Sequence, residues 1–354
     1  MLNIDKLILE FNKNSKSENI ESNTKIDSKH QKIISQSKKN INQLSYKNFR
    51  NWDSQNDMGL KFPMTYISKI FLGLKTPIIL NFIIKIFKKR LNHIFEYSSM
   101  VDDIEVIKKN NGKILLKENP QNLTPGALNF PLVQEYSVTT RWLRYLYLLS
   151  QIKKFNLLNN NSVWLDVGSY YGGLQGLVKK YFPDSTLILV DFNHQLMRSF
   201  IYLKNLYPQA NHILPDNIKD IKSIENCKGS ILYVDVNDFK FIENFKVDLA
   251  SNFFSLGEMK KETFINYTES KIFKNSKFIY YANRIFSSPH FDSTYDDPLS
   301  IFDYESLNFS TKYLDVLPVG NFNISDRLVN NRYFFRNFSS QYFEMILINK
   351  NYDK

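Results

Sequence analysis

Cysteine is almost absent from this 354-residue chain: Cys227 is the single one, which excludes an intrachain disulfide and any CxxC metal knuckle or redox pair. Long apolar runs are missing too. The most apolar stretch, PIILNFIIKIF from Pro77 to Phe87, is interrupted by Asn81 and Lys85 and falls short of the roughly 20 apolar residues that cross a bilayer as a helix. The opening MLNIDKLILEF is broken by Asp5 and Lys6, and no small-residue cleavage site follows it, so no secretory signal is read there. These absences lead to the expectation of a soluble, cytoplasmic protein.

Excess positive charge is also lacking over most of the chain. The formal net charge is +11, yet residues 1–50 hold ten Lys/Arg against five Asp/Glu and residues 51–100 seven against three, which leaves the rest nearly neutral. A catalytic surface that grips nucleic acid through its phosphates is therefore not indicated. Basic character belongs to the N-terminal hundred residues, where Lys85, Lys88, Lys89 and Arg90 fall near one another on a helical pattern. They suit either weak docking to a membrane surface or partner, or a solvated face of a packed helix.

What the chain does have is enough apolar content, 43%, for a sizeable core. Residues 1–45, rich in Asn, Lys and Ser, are expected to be disordered or loosely helical. Apolar positions from Tyr66 to Tyr97 recur at helical spacing, with Thr76-Pro77 opening a second helix, so 46–130 is expected to form a helical cap. Within it, 110–120 reads as a turn and short strand. From 131 to 354 the pattern is that of one main domain, led in by an amphipathic helix over Glu135–Ile152.

Beyond that helix, apolar runs bounded by polar turns alternate with helical stretches. Strands are expected at Val163–Val167, Thr186–Val190, Ser230–Val234, Val247–Phe254 and Lys277–Ala282, and helices at Gly173–Phe182, His194–Tyr207 and Lys260–Phe273. Runs of this kind imply an α/β fold, a doubly wound and mostly parallel sheet covered on both faces. Lys312–Leu317 and Tyr342–Ile348 would add antiparallel edge strands.

Such a sheet takes its ligand outside the carboxyl ends of its strands. The residues there are Asp166-Val-Gly168, Asp191, Asp235 and Asn252. A glycine turn after the first strand with an acid ending the second fits either NAD or S-adenosylmethionine, since Asp191 can accept the ribose hydroxyls of both. Two features favour the second. Tyr170 stands where a dinucleotide loop has the glycine that admits a pyrophosphate. Asp166 would repel a pyrophosphate but suits the ammonium of a methionine tail.

LDVGSYYGG followed by Asp191 resembles motifs I and II of class I S-adenosylmethionine-dependent methyltransferases. The GxxYGG ending and DLASNFFSLGEM, Asp248 to Met259, resemble more narrowly the sugar O-methyltransferases found with bacterial surface-polysaccharide genes. The resemblance implies a seven-stranded Rossmann-like sheet, S-adenosylmethionine as cofactor and a glycan or nucleotide sugar as acceptor. It also implies a donor set in which Asp166, Gly168 and Gly172 meet the methionine part, Asp191 the ribose, Asp235 and Val236 the adenine edge, with Asn252 beside them. Tyr170 departs from the superfamily, which usually has glycine there.

Each residue has a plainer reading. Asp166, Asp191 and Asp235 can simply end strands and cap the following turns. Ser255 and Glu258 have the spacing of a capping box, or Glu258 serves at the acceptor mouth as base or hydroxyl ligand. Methylating a sugar hydroxyl calls for a base or a metal. His290 lies in the loop after the fifth strand, as catalytic base or as a surface histidine. Asp292, Asp296 and Asp297 with Glu258 could gather a divalent cation, although loop acids also form solvated turns. Arg141 and Arg144 could hold the donor carboxylate or an anionic acceptor through a bidentate fork, or lie on the surface of their helix. Methylation of a nucleic-acid base is disfavoured because the loop after the fourth strand reads NFFS, with no proline. An interaction module built on a degenerate methyltransferase fold, with Tyr170 as its mark, stays open.

Overall fold

A computed structural model of the chain describes residues 3–15, 100–118, 132–287, 297–320 and 342–352. The Tyr66–Tyr97 helices, the cluster Lys85, Lys88, Lys89 and Arg90, and the residues His290, Asp292 and Asp296 lie outside that set.

The core is an eight-stranded sheet. In chain order its strands are β3 (Val163–Val167), β4 (Thr186–Asp191), β5 (His212–Ile213), β6 (Ile231–Asp235), β7 (Leu249–Phe253), β8 (Phe278–Arg284), β9 (Phe309–Val316) and β10 (Tyr342–Asn349). A two-stranded hairpin, β1 (Leu132–Val133) and β2 (Tyr136–Ser137), precedes them. The spatial order is β5-β6-β4-β3-β7-β8-β10-β9. Every pair from β5 to β8 is parallel, and β10 runs antiparallel between β8 and β9. The expected α/β, Rossmann-like sheet is therefore present, widened by the short edge strand β5.

Alternation along the strands divides the core in two. Trp164, Leu187, Leu189, Tyr233, Leu249, Phe253, Tyr280 and Ile346 face one side. Leu165, Val167, Ile188, Val190, Leu232, Ala250, Ile279 and Met345 face the other. Both sides are apolar because helices cover both. The helices are α1 (Ile4–Lys13), α2 (residues 100–109), α3 (Thr140–Lys154), α4 (Gly173–Tyr181), α5 (Asn193–Leu206), α6 (Lys261–Thr268) and α7 (Lys271–Lys274). The first five pack on the Trp164 side and the last two on the Leu165 side.

Several expectations are corrected. Residues Ile4–Lys13, expected to be disordered or loosely helical, form a capped helix: Asn3 accepts the Asp5 N–H at 2.9 Å, and Ile4, Leu7 and Phe11 are buried. Phe11 meets Phe200 of α5 at 5.8 Å. Apolar spacing of i, i+3, i+7 suffices once a partner helix is there to cover it. The stretch 110–120, read as a turn and short strand, opens on turns and then forms a 3-10 turn at Leu115–Lys117 instead of a strand in its described part. The lead-in helix starts at Thr140 rather than Glu135, because Thr139 caps it by accepting the Trp142 N–H at 3.2 Å. The helix expected over Lys260–Phe273 breaks into α6 and α7 at Glu269-Ser270.

A buried polar knot fixes α3 to the antiparallel edge. The Glu344 carboxylate on β10, fully buried, accepts from the hydroxyls of Tyr147, of Tyr280 at 2.9 Å and of Tyr313 at 3.2 Å, and from the Gln151 amide at 3.2 Å. Burial raises its pKa, and those donors act in the opposite direction. The knot sets the rotation of α3, and with it the direction in which Arg144 points.

Candidate functional site

The chain leaves β3 for α4 between β4 on one side and β7 on the other, the switch point where open α/β sheets bind ligands. The turn is built tightly. Gly168 has φ 85° and donates its N–H to the Val190 carbonyl at 2.8 Å. A β-carbon there would lie 2.2 Å from Ser255 Oγ, so only glycine fits. Gly172 stands at the N-cap of α4. Space freed by Gly173 is filled by the Tyr171 hydroxyl, 2.5 Å from an added β-carbon, and the Tyr145 ring. That glycine serves packing within the protein and not an approaching phosphate.

Tyr170 adopts φ 54°, the left-handed region that favours glycine. Its backbone explains why: the Tyr170 N–H donates to Asp191 Oδ2 at 2.9 Å, while the Phe192 N–H donates to Oδ1 at 2.8 Å. The two bonds tie the turn to the end of β4. The Tyr170 carbonyl also accepts from Ser199 Oγ at 2.7 Å. Its ring is held between the guanidinium groups of Arg141 on α3, at 4.3 Å, and Arg198 on α5, at 4.7 Å, edge-on to Tyr171 at 5.2 Å. The side chain that looked out of place is clamped between two helices.

The four acids and amides of the expected donor set lie at neighbouring strand ends. Asp191 and Asp235 are register partners on β4 and β6. Burial pushes the Asp191 carboxyl up to about 7, against the lowering effect of its two backbone bonds and of Arg198. Asp235 is also raised by burial. It caps the 3-10 turn Val236–Ile242, accepting from the Asn237 backbone at 2.9 Å and side chain at 2.8 Å, so its turn-capping role is real; Val236 is half-buried in that turn.

Asp166 is 2% exposed. Its carboxylate accepts from Ser251 Oγ at 2.6 Å and from the Gln175 amide, and Ser251 in turn receives the Trp164 indole N–H at 2.8 Å. Burial drives its pKa to about 8, with those bonds opposing and Asp191 adding. Asn252, fully buried, spends its amide inside the protein. It donates to the Val167 carbonyl and to Ser255 Oγ, both at 2.5 Å, and its oxygen accepts the Leu256 N–H at 2.9 Å and the Asn283 amide at 3.0 Å. Asn252 and Asp166 thus shape the turn from beneath. The Ser169 hydroxyl, within the turn, is buried and has no hydrogen-bond partner.

The capping box expected at Ser255 and Glu258 is not formed: Ser255 makes no side-chain cap bond, because its hydroxyl is taken by Asn252 and the Val167 carbonyl. Glu258 instead pairs with Arg284, the last residue of β8, at 3.3 Å. Asp297 pairs with Lys261 at 3.0 Å. Among the described residues no group of three His, Cys, Asp or Glu is placed to hold a metal ion.

A second cluster lies beside the turn. Phe254, next to Ser255, has φ 69°, a strained state for an aromatic residue. Its ring lies 5.0 Å from the Arg144 guanidinium and edge-on to Tyr342 at 5.2 Å. Tyr342 is faced by Arg284 at 5.0 Å and Arg144 at 5.9 Å. Arg144, one of the two arginines singled out in the sequence, thus joins a stack with Phe254, Tyr342 and Arg284. Arg141 stays with Tyr170. Arg284 and Tyr342 were missed as site residues: the strand expected to stop at Ala282 runs on to Arg284, two residues past the end that was inspected.

No family model matches the sequence, and no curated protein matches it. Solved structures with a similar chain path include a Galdieria sulphuraria protein described as a candidate sarcosine dimethylglycine methyltransferase, at 12% identity and TM-score 0.39, covering 59% of this chain and 86% of that one. Geranyl diphosphate C-methyltransferase of Streptomyces coelicolor A3(2), solved with Mg2+, geranyl diphosphate and S-adenosyl-L-homocysteine, gives 12% identity and TM-score 0.37 over 58% of this chain and 80% of that one. M. capricolum TrmK, with S-adenosyl-homocysteine, gives 12% and 0.32 over 57% and 67%.

Proposed function

We propose that the chain is an S-adenosylmethionine-dependent O-methyltransferase whose acceptor is a sugar hydroxyl. The observation that carries the reading is the β3–α4 turn tied to Asp191. It has an acid at the end of β4 that accepts two backbone N–H groups, a buried Ser169 hydroxyl without a partner, and a last glycine whose free space is filled by Tyr171 and Tyr145 rather than left for a pyrophosphate.

These residues fit the donor. Each Asp191 oxygen accepts one backbone N–H and keeps a lone pair for a ribose hydroxyl. Asp235 sits beside it at the adenine side, with Val236 following. Ser169 offers a hydroxyl to the methionine part. Asp166 supports the turn through Gln175 and Ser251. Bound S-adenosylmethionine supplies an electrophilic methyl group on a sulfonium.

The acceptor side follows β7 and β8. A sugar hydroxyl is a weak acid, so its proton must pass to a base as its oxygen attacks the methyl carbon, the S–CH3 bond breaking to release S-adenosylhomocysteine. In this reading Glu258 serves as the base, exchanging its Arg284 contact for the incoming hydroxyl; His290, which follows β8 in the sequence, is the alternative base. Phe254 presents an apolar face for a sugar ring.

Calorimetry with S-adenosylhomocysteine, and with NAD as control, tests the donor. Binding of the first alone is expected, with marked weakening in Asp191→Ala. Equal binding of NAD, no binding of S-adenosylhomocysteine, or an unchanged Asp191→Ala sinks the reading. Transfer of labelled methyl groups to a panel of nucleotide sugars and glycans then identifies the acceptor.

A further inference from the structure

Arg144 is an unusual arginine. It comes from α3, one turn ahead of the Tyr147–Glu344 bond that fixes the helix, and its guanidinium lies against the Gly320 turn: a β-carbon on Gly320 would come within 2.8 Å of both Nε and Nη2. Nε is buried with no hydrogen-bond partner, and no carboxylate lies within ion-pair distance among the described residues. The carboxylate acting on it is Asp103 of α2, which is itself buried and bound through both oxygens to the Gly320 N–H at 3.0 and 3.2 Å. Asp103 thus stands behind the turn rather than on the guanidinium. Two rings, Phe254 and Tyr342, cover Arg144 on its flanks, and Arg284 approaches the same Tyr342 ring.

Burying a guanidinium N–H without a hydrogen-bond partner is costly, and a strained Phe254 adds to the cost. Aromatic faces hold the guanidinium in place without using its N–H donors. The Nε–H is left for something else, and a guanidinium fork suits a carboxylate or a phosphate. The stack also adjoins the donor turn, since Phe254 precedes the Ser255 whose hydroxyl fills the space above Gly168.

We propose that Arg144, seconded by Arg284, is an anion seat for the acceptor, so that the sugar methylated by this protein carries a carboxylate or a phosphate close to its reacting hydroxyl. This deepens the methyltransferase reading and rests on it. The seat selects against neutral sugars, because a neutral acceptor would leave the buried Nε–H without a charged partner.

The test uses the full chain saturated with S-adenosylhomocysteine and three probes: glucose, glucuronate and glucose 1-phosphate, titrated by calorimetry or ligand-observed NMR. At least one charged probe is expected to bind tenfold or more tighter than glucose, and whichever leads tells carboxylate from phosphate. Arg144→Met, which keeps the stem and removes the fork, should abolish that preference, and Arg144→Lys should keep part of it. If Arg144→Met fails to fold, Arg284→Met carries the comparison, with a reduced preference expected.

Equal binding of all three probes by the wild type, or a preference that survives Arg144→Met, overturns the seat. So does a second pattern: Arg144→Met that loses affinity for S-adenosylmethionine but not for its decarboxylated analogue, because the donor's own carboxylate would then occupy the arginine. Failure of the wild type to bind S-adenosylhomocysteine would strike the methyltransferase reading itself and is seen separately in the first titration.

Discussion

Tyr170 offers the sharpest test, through Tyr170→Gly and Tyr170→Ala compared with the wild type. The ring makes two cation–π contacts, at 4.3 and 4.7 Å, each worth about 1 kcal/mol when partly desolvated, and one edge-to-face contact with Tyr171 worth about 1 kcal/mol. Both substitutions lose roughly 3 kcal/mol of such contacts. The backbone separates them. At φ 54° a side chain costs about 1 kcal/mol that glycine avoids, and the Tyr170 N–H bond to Asp191 survives in both. Equilibrium urea unfolding should therefore rank wild type above Tyr170→Gly, and Tyr170→Gly above Tyr170→Ala by about 1 kcal/mol. Because the ring is clamped between α3 and α5, affinity for S-adenosylhomocysteine should change in Tyr170→Gly by less than about threefold, near 0.7 kcal/mol. If alanine matches or exceeds glycine, the left-handed turn is wrong. A tenfold gain in donor affinity would show instead that the tyrosine obstructs the seat.

Three further outcomes follow from the buried charges. Donor binding that needs ionised Asp191, whose carboxyl sits at about 7, should strengthen about tenfold from pH 6 to pH 8; a flat profile by calorimetry would remove Asp191 from the ribose. Asp166, raised to about 8 by burial, holds a proton in the folded chain that the unfolded chain releases near pH 3.9, so the folded state binds more protons across that window. Its contribution to stability is complete below the unfolded value and falls away as pH rises toward 8, by at most about 1.4 kcal/mol per pH unit. Asp166→Asn should therefore gain on the wild type in thermal melts between pH 5 and pH 8; a constant difference counts against the buried carboxyl. Finally, the Lys179 ammonium, buried and bonded to the carbonyls of Ser185 at 2.7 Å and Gly229 at 2.8 Å, should cost about 2–4 kcal/mol of unfolding free energy when changed to methionine, since two acceptors lose a charged donor; a loss under about 0.5 kcal/mol, the scale of an ordinary surface change, would refute that role.

Much of the fold was legible because parallel strands buried on both faces must be apolar throughout, and the runs at Val163, Thr186, Ser230 and Lys277 announce themselves that way. The antiparallel pair near Lys312 and Tyr342 was legible too. Short elements escaped: β5 has two residues, and α1 was hidden in a polar segment where only Ile4, Leu7 and Phe11 carry the pattern. Sequence spacing also suggested a capping box at Ser255, whereas the hydroxyl is drawn away by Asn252, a competitor that spacing cannot reveal.

By itself the sequence determined the class of sheet, the glycine turn after its first long strand and the acids at the strand ends, because local periodicity and turn chemistry depend on neighbours along the chain. Only the tertiary structure decided what those residues touch. Asn252 and Asp166 became supports beneath the turn because β7 and α4 bring Ser255, Ser251 and Gln175 to them. Tyr170 became anchored because α3 and α5 each place an arginine over its ring. Arg144, Phe254, Arg284 and Tyr342 are spread over some two hundred positions of sequence, and they meet because β10 inserts antiparallel beside β8, a pairing fixed by long-range packing and by the Glu344 knot rather than by any local signal.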